Sequence, residues 1–417
     1  MNNTISIFAF LCLFLCTNLH TQSNADNKMK VKKMVIEGLF YTDHQPISIE
    51  IEDGKILRIS RIEKLSDPEM EGIYIAPGLI DHQVNGYLSH AFVGEELNLE
   101  QVQKITKAFW ARGITTYVPT LTSHRSDLLL KNFGKLSKII QDEIVSLSVP
   151  GFHLEGPYIS PIDGFRGAHN KAYIREPNWE EFSQFYEASG RNIIEVTIAP
   201  ELEGAIDFIA KCRQLGIVVA LGHHNGTTAI IQEAVDAGAS VSTHLGNGCA
   251  NTIHRHDNPI WPQLAEDRLT ASIIADGFHL RPEEVQTFYK VKGPERTILV
   301  SDVIRLAGLP PGTYEDFDQE VVVTPEGKVM MPAQNVLAGA SFLITEGIKN
   351  MMAFTQCSLA DAVHMASRNP ARLLGLHDRG EISPGKRADF VLFKLNKDGS
   401  MDIRKTMVNG VTVFEVE

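Results

Sequence analysis

Residues 218–245 read VVALGHHNGTTAIIQEAVDAGASVSTHL. Two short runs rich in β-branched residues, Val218–Leu221 and Ala239–Thr243, flank an amphipathic stretch from Ala229 to Ala237. Strand, helix and strand in that order describe a parallel pair, because a parallel connection needs a crossover, usually helical. Each run ends in polar residues: Gly222-His223-His224-Asn225, then Thr243-His244-Leu245-Gly246-Asn247.

The same texture extends in both directions. Candidate strands precede this unit at Gly78–Asp81, Thr115–Pro119, Gly151–Leu154 and Ile194–Ile198, and follow it at Ser272–Ala275 and Thr297–Val300. Helical patterns lie between them, at Leu99 to Arg112, Trp179 to Ala188 and Ala205 to Leu215. Eight strand–helix repeats predict an α/β chain with a (β/α)8 TIM-type barrel. An open doubly wound sheet is the competing arrangement, disfavoured by the lack of a Gly-x-Gly-x-x-Gly turn opening a helix. The two ends read as β structure, with alternation at Val31–Glu37, Ile47–Ile51 and Ile56–Ile59, and again at Ala388–Phe393 and Met407–Val413 around Asn409-Gly410, a hairpin signal. They predict a small β-sandwich domain built from both termini. Val321–Thr324 and Lys328–Met331, around Pro325-Glu326-Gly327, predict a hairpin inserted after the eighth strand. The expected organisation is a signal peptide at 1–25, the first part of the sandwich at 26–76, the barrel at 77–376 and the second part of the sandwich at 377–417.

The 417 residues are 43% hydrophobic and 22% charged, which excludes a disordered chain, a collagen and a coiled coil. The net charge, 39 − 51 = −12, argues against a nucleic-acid partner, which would call for a basic surface. Ile5 to Cys16 form an apolar run too short for an ordinary membrane span, and Ser23-Asn24-Ala25 offers a small-x-small cleavage site. Export to the periplasm or outside the cell is expected, with no membrane attachment after cleavage. Cys212, Cys249 and Cys357 would remain, too few and too dispersed to read as a disulfide framework or a cysteine zinc site.

In a barrel of this kind the chemistry sits where the strands end. Strand three ends in His153-Leu154-Glu155-Gly156-Pro157, strands five and six in His223 and His244, and strand eight in Ser301-Asp302. One carboxylate and two imidazoles from separate strands suit a catalytic divalent cation that keeps a position open for water. Asp302 is then placed to accept that water's proton. Singly, each residue has an ordinary reading: a strand-end His as hydrogen-bonded structure, an Asp as a cap or turn former, Glu155 as a buried ion-pair partner. Strict alternation along strand one puts Gln83 and Asn85 on one face and His82 on the other, so His82 is not expected at the metal.

Further segments carry a resemblance: Ala76-Pro77-Gly78-Leu79-Ile80-Asp81, Gln83-Val84-Asn85-Gly86, His153-Leu154-Glu155-Gly156-Pro157, Gly167-Ala168-His169-Asn170, Asp276-Gly277-Phe278-His279 and Gly385-Lys386-Arg387-Ala388-Asp389. With them the chain, from about Val31 to its end, resembles the amidohydrolase superfamily and, within it, the N-acetylglucosamine-6-phosphate deacetylase family. That resemblance implies a hydrolase of linear amides that removes the acetyl group from an N-acetylated amino sugar. It implies Glu155, His223 and His244 around one divalent metal, usually zinc, with Asp302 as general base and then acid. It places His279, Asn247 and His169 against the substrate. Arg255 would meet a phosphate, or stands as a solvated loop residue. Gln83-x-Asn85 occupies the place of the superfamily's His-x-His, which points to one metal rather than two and leaves Gln83 and Asn85 to shape the vacant position. Members are often homodimers. Residues 246–261 depart from the family pattern, and an exported enzyme suggests an unphosphorylated sugar. The competing readings are another exported N-acyl hydrolase of the superfamily and a catalytically inactive sugar-binding relative.

Overall fold

The computed structural model describes residues 33–316 and 318–416, so the expected signal peptide lies outside the described residues. Eight parallel strands follow one another around the barrel: β1 (Leu79–Val84), β2 (Ile114–Thr122), β3 (Phe152–Glu155), β4 (Ile193–Ile198), β5 (Val218–Leu221), β6 (Val241–Ser242), β7 (Thr270–Ile273) and β8 (Thr297–Leu299). Between β8 and β1 the ring is joined just past the strand ends: Val303 bridges Val84, and Asp302 N–H donates to Gln83 O at 3.1 Å. A helix follows every strand, α1 to α8 in turn: Leu99–Trp110, Ser126–Ile139, Trp179–Ala188, Ala205–Gln214, Thr228–Ala237, Ile260–Ala265, Pro282–Lys292 and Ile344–Thr355.

Local sequence sets these boundaries. Asn98 caps α1 in a reciprocal box with Gln101, Asn178 caps α3 through Glu181 N–H, and Thr227 caps α5 through Ile230 N–H. All nine residues of β2 are buried, as a strand covered by helices outside and by side chains inside must be. One large apolar cluster joins the strands to Phe109, Phe133, Phe182, Phe185 and Phe208 of the surrounding helices. The barrel is thus a rigid frame that presents its strand ends on one side.

Both termini build a second sheet of seven strands. Ile73–Pro77 pairs in parallel with Lys33–Phe40 and antiparallel with Phe390–Leu395, which joins the amino- and carboxyl-terminal halves. The expected two-layered body is one continuous sheet folded over Ile47, Ile49, Ile75, Phe390 and Met407, and it meets itself where Ile56 N–H donates to Lys386 O and Ala388 N–H to Gly54 O. The hairpin expected after β8 is larger: Gly312–Asp316, Gln319–Val323, Val329–Met331 and Val336–Leu337 form a four-stranded antiparallel sheet. Its outer strands escape a pattern reading because the first is polar and largely exposed and the last is two residues long. No helix among the described residues is long and apolar enough to cross a membrane.

Candidate metal centre and active site

Three of the expected ligands converge. Glu155 ends β3, and His223 and His244 stand just past β5 and β6; all three are buried. The Nε2 atoms of the two imidazoles are 3.0 Å apart, and Glu155 Oε1 lies 3.3 Å from His223 Nε2 and 3.2 Å from His244 Nε2. Atoms that all carry lone pairs approach so closely only around a proton or a cation. His223 Nδ1–H donates to Phe165 O at 3.2 Å, which leaves Nε2 as the lone-pair nitrogen of a neutral ring. His244 Nδ1 is buried with no partner among the described residues. Burial works to raise Glu155, but its bonds to the two imidazoles prevail and hold its carboxyl well below the usual carboxylate range. Two imidazole nitrogens and one carboxylate oxygen therefore fit a divalent cation.

The loops close tightly on this group. A Cβ at Gly167 or Gly248 would stand 2.9 Å and 2.8 Å from the His223 ring, and both glycines have positive φ, so neither position tolerates a side chain. His223, His244 and Asp302 also have positive φ, at 52°, 30° and 51°. Non-glycine residues rarely adopt that conformation, which costs about 1–3 kcal/mol each and persists where surrounding structure enforces it. Here Ser160 N–H donates to His223 O, Ser272 Oγ accepts from His244 N–H, and Ala340 N–H donates to Asp302 O.

Asp302 sits beside the triad. Asn85 Nδ2 donates to its Oδ1 at 2.7 Å, and Gln83 Nε2 bridges Glu155 Oε1 (2.8 Å) and Asp302 Oδ1 (3.2 Å). These bonds fall on Oδ1, which leaves Oδ2 for a transferred proton. Burial first, and then the Glu155 charge, push the Asp302 carboxyl up to about 7. Gln83 and Asn85 thus act on the two carboxylates as amide donors, which the histidines expected of the superfamily could do only in part.

A cavity of about 440 Å³ opens over the site and is lined by Asn85, Glu155, His169, His223, His244, Asn247, His279 and Asp302. His279 Nδ1 is held by Asp276 Oδ2 at 2.8 Å, and Asp276 also accepts from the N–H groups of Phe278 and His279. His169 accepts or donates at Ser123 Oγ (2.8 Å), its ring centroid 4.5 Å from that of His223; burial lowers it to about 3, so it stays neutral. Asn247 Nδ2 is buried with no partner among the described residues. Arg255 is not brought to this cavity: its side chain is exposed, and its Nε bonds His256 Nε2 at 3.0 Å. Two cations that sequence reasoning missed do line it, Arg281 and Lys328. Arg281 lies two residues past His279; Lys328 belongs to the inserted sheet, whose position over the barrel no local pattern reveals.

One expectation fails on geometry. Asp81 to Val84 contain a register shift in the pairing of β1 with β2, so strict alternation is broken and both His82 and Gln83 face the barrel interior. His82 Nδ1 meets Glu195 Oε2 at 2.8 Å. It lies in a separate buried layer with His153, whose Nε2 is 2.8 Å from Thr197 Oγ1, and with Thr243, 2.8 Å from the same hydroxyl. Burial opposes charge on His82 and Glu195, but their mutual attraction raises the first and lowers the second, as in an ion pair.

Comparison with known proteins agrees with this geometry. A family model described as "Amidohydrolase family" matches residues 74–413. The N-acetylglucosamine-6-phosphate deacetylase of Bacillus subtilis (strain 168) is 30% identical, over 82% of this chain and 88% of that protein. The N-acetylgalactosamine-6-phosphate deacetylase of Escherichia coli O157:H7 is 29% identical, over 92% of this chain and 98% of that protein. A crystal structure of the N-acetylglucosamine-6-phosphate deacetylase of Thermotoga maritima superimposes with a TM-score of 0.81 at 29% identity, covering 92% of this chain and 100% of that one.

Proposed function

This chain belongs to the amidohydrolase family, and we propose that it is a metal-dependent deacetylase of N-acetylated amino sugars, acting on their 6-phosphates. The observation that carries this is the meeting of Glu155 Oε1, His223 Nε2 and His244 Nε2, with the Asp302 carboxylate tied to the same Gln83 amide. The names of the relatives support the substrate class. The donor set, two imidazoles and a carboxylate, suits zinc.

Held by these three residues, a divalent cation supplies Lewis acidity, lowering the pKa of a water and polarising the acyl oxygen. The remaining work falls to the chain's own groups. Asp302 takes a proton from the attacking water as its oxygen bonds to the amide carbon. His279, fixed by Asp276, and neutral His169 offer hydrogen bonds to substrate oxygens, which keeps the carbonyl in line. Asp302 then returns its proton to the amide nitrogen as the carbon–nitrogen bond breaks, so acetate and the free amine leave. Asn85 and Gln83 hold Asp302 Oδ1 in place through both transfers.

Acetate release from N-acetylglucosamine 6-phosphate, measured beside metal content, tests this. Metal-replete protein that releases no acetate from any N-acetyl amino sugar, phosphorylated or not, contradicts it. Residues 1–25 we propose to be an export signal, on the strength of the apolar run and the small-residue site. A mature amino terminus at Asp26 would support export, and protein that retains Met1 in the cytoplasm would contradict it.

A further inference from the structure

A second cavity, also of about 440 Å³, opens beside the one over the metal ligands, and Asn85 and Thr122 line both. The first faces His223, His244, Asn247 and His279, on the side of β5 to β7; the second lies by the ends of β1, β2 and β8. Asp302, whose Oδ1 accepts from Asn85 Nδ2 at 2.7 Å, stands at their boundary. An amide is planar and almost always trans, so the substituent on its nitrogen and the chain on its carbonyl carbon leave in opposite directions. With the amino sugar against Asn247 and His279, and the carbonyl carbon beside Asp302, the acyl group points towards Asn85, Thr122 and the second cavity. The single methyl of an acetyl group leaves that space unfilled.

The lining of the second cavity says what would fill it. Ala91, Val93, Leu128 and Ile304 give it apolar walls, and the Tyr173 ring beside them is stacked on His124 at 4.5 Å between centroids. Its charged groups have partners: Arg305 Nε lies 3.1 Å from Asp316 Oδ1, Arg125 Nη2 lies 3.5 Å from Glu95 Oε1, and Tyr173 Oη donates to Asp318 Oδ2 at 2.9 Å. Among the described lining residues, Glu95, Asp316 and Asp318 outnumber Arg125 and Arg305, so an anionic tail is repelled. An uncharged, apolar chain suits these walls best. Gly94 also lines the cavity; Asn132 holds its N–H (3.1 Å) and its oxygen (2.8 Å), and a Cβ there would meet no heavy atom within 4 Å.

Resting on the deacetylase reading above, we propose that this second cavity is an acyl-chain site, and that the enzyme also hydrolyses amino sugars N-acylated by straight, uncharged chains such as butyryl and hexanoyl. The bonds exchanged are the same: water oxygen joins the acyl carbon, the carbon–nitrogen bond breaks, and the longer carboxylate leaves beside the free amine. Two measurements on the metal-loaded full chain decide it. The first is kcat/KM for glucosamine 6-phosphate carrying an acetyl, butyryl or hexanoyl group; the second is equilibrium binding of acetate and of hexanoate by calorimetry. The hexanoyl substrate should keep kcat/KM within about tenfold of the acetyl one, and hexanoate should bind about tenfold or more tighter than acetate, since each methylene moved from water into an apolar site gains about fourfold. Gly94→Phe and Val93→Phe each put a ring into the cavity and should lower the hexanoyl-to-acetyl ratio of kcat/KM by about tenfold or more, with loss of the preference for hexanoate. That ratio is read within one preparation, so incomplete folding of a variant does not alter it. A wild type that hydrolyses the acetyl substrate but loses more than about tenfold on the hexanoyl one overturns the proposal and leaves the deacetylase reading intact. A ratio unchanged in both variants also overturns it. Hydrolysis of the hexanoyl substrate and not of the acetyl one ends the deacetylase reading and leaves the acyl site standing.

Discussion

Two buried sets of histidines and carboxylates lie one above the other in this barrel, and they differ in what their lone pairs meet. In the upper set, Glu155, His223 and His244 aim three ligand atoms at one point, within 3.3 Å of one another. In the lower set, His82 pairs with Glu195, and His153 with Thr197, each at 2.8 Å. The residue types are the same; the lower residues pair off one atom to one atom, leaving His82 Nε2 and Glu195 Oε1 without a partner among the described residues, while the upper ones leave a shared centre for a cation. The backbone differs too. His223 and His244 lie at positive φ beyond their strands, whereas His153 and Glu195 lie inside strands and not at positive φ. Composition alone therefore does not make a metal site; converging lone pairs at strand ends do.

That contrast breaks most sharply under ligand removal. His244→Ala should empty the protein of metal, read by mass spectrometry of the purified chain, and lower turnover by far more than the roughly 10–100-fold typical of an outer-shell partner. Asp302→Asn should keep the metal and lower kcat by about 10²–10⁴-fold, which separates a proton carrier from a ligand. Loss of metal in Asp302→Asn would move that residue into the ligand set.

The pH profile sharpens the same division. Asp302 must be ionised to accept a proton, so kcat/KM should fall about tenfold per pH unit below its pKa. Burial and the Glu155 charge hold that pKa at about 7 in the cation-free protein. A cation that offsets Glu155 removes one of these causes, so the midpoint of the loaded enzyme should lie below 7. An acid limb centred above that value would contradict the assignment.

The lower set should answer in stability rather than in metal. Glu195→Ala leaves His82 buried without its partner and should cost about 3–5 kcal/mol of stability by denaturant melts, with metal content unchanged. The smallest effect belongs to Asp302→Asn in metal-free protein. Because the folded state raises the pKa of Asp302 above its ordinary 3.8, the ionised form weakens folding, increasingly as pH rises towards 7 and fully above it. Its removal should raise Tm by about 2 °C at pH 8 and have no such effect near pH 4.

Much of this was legible in the chain. The strand–helix repeat and the polar strand ends put Glu155, His223, His244 and Asp302 in the right places, because a parallel barrel brings such positions to one rim whatever the loops do. What was not legible depended on long-range geometry. The register shift at Asp81 to Val84 turns His82 inward and leaves no mark on local alternation. Arg255 suggested an anion contact by its type, yet its loop turns it to solvent against His256. Lys328 reaches the cavity only because a four-stranded sheet, two of whose strands lack any periodic signal, folds over the barrel end.

Anomalous X-ray scattering from crystals of the purified protein, collected at the edge of the metal that elemental analysis identifies, tests the metal centre most directly. One peak, about 2.0–2.2 Å from Glu155, His223 Nε2 and His244 Nε2, is expected. A peak on His82 and Glu195 instead, or none at the strand ends in metal-replete active protein, would contradict it.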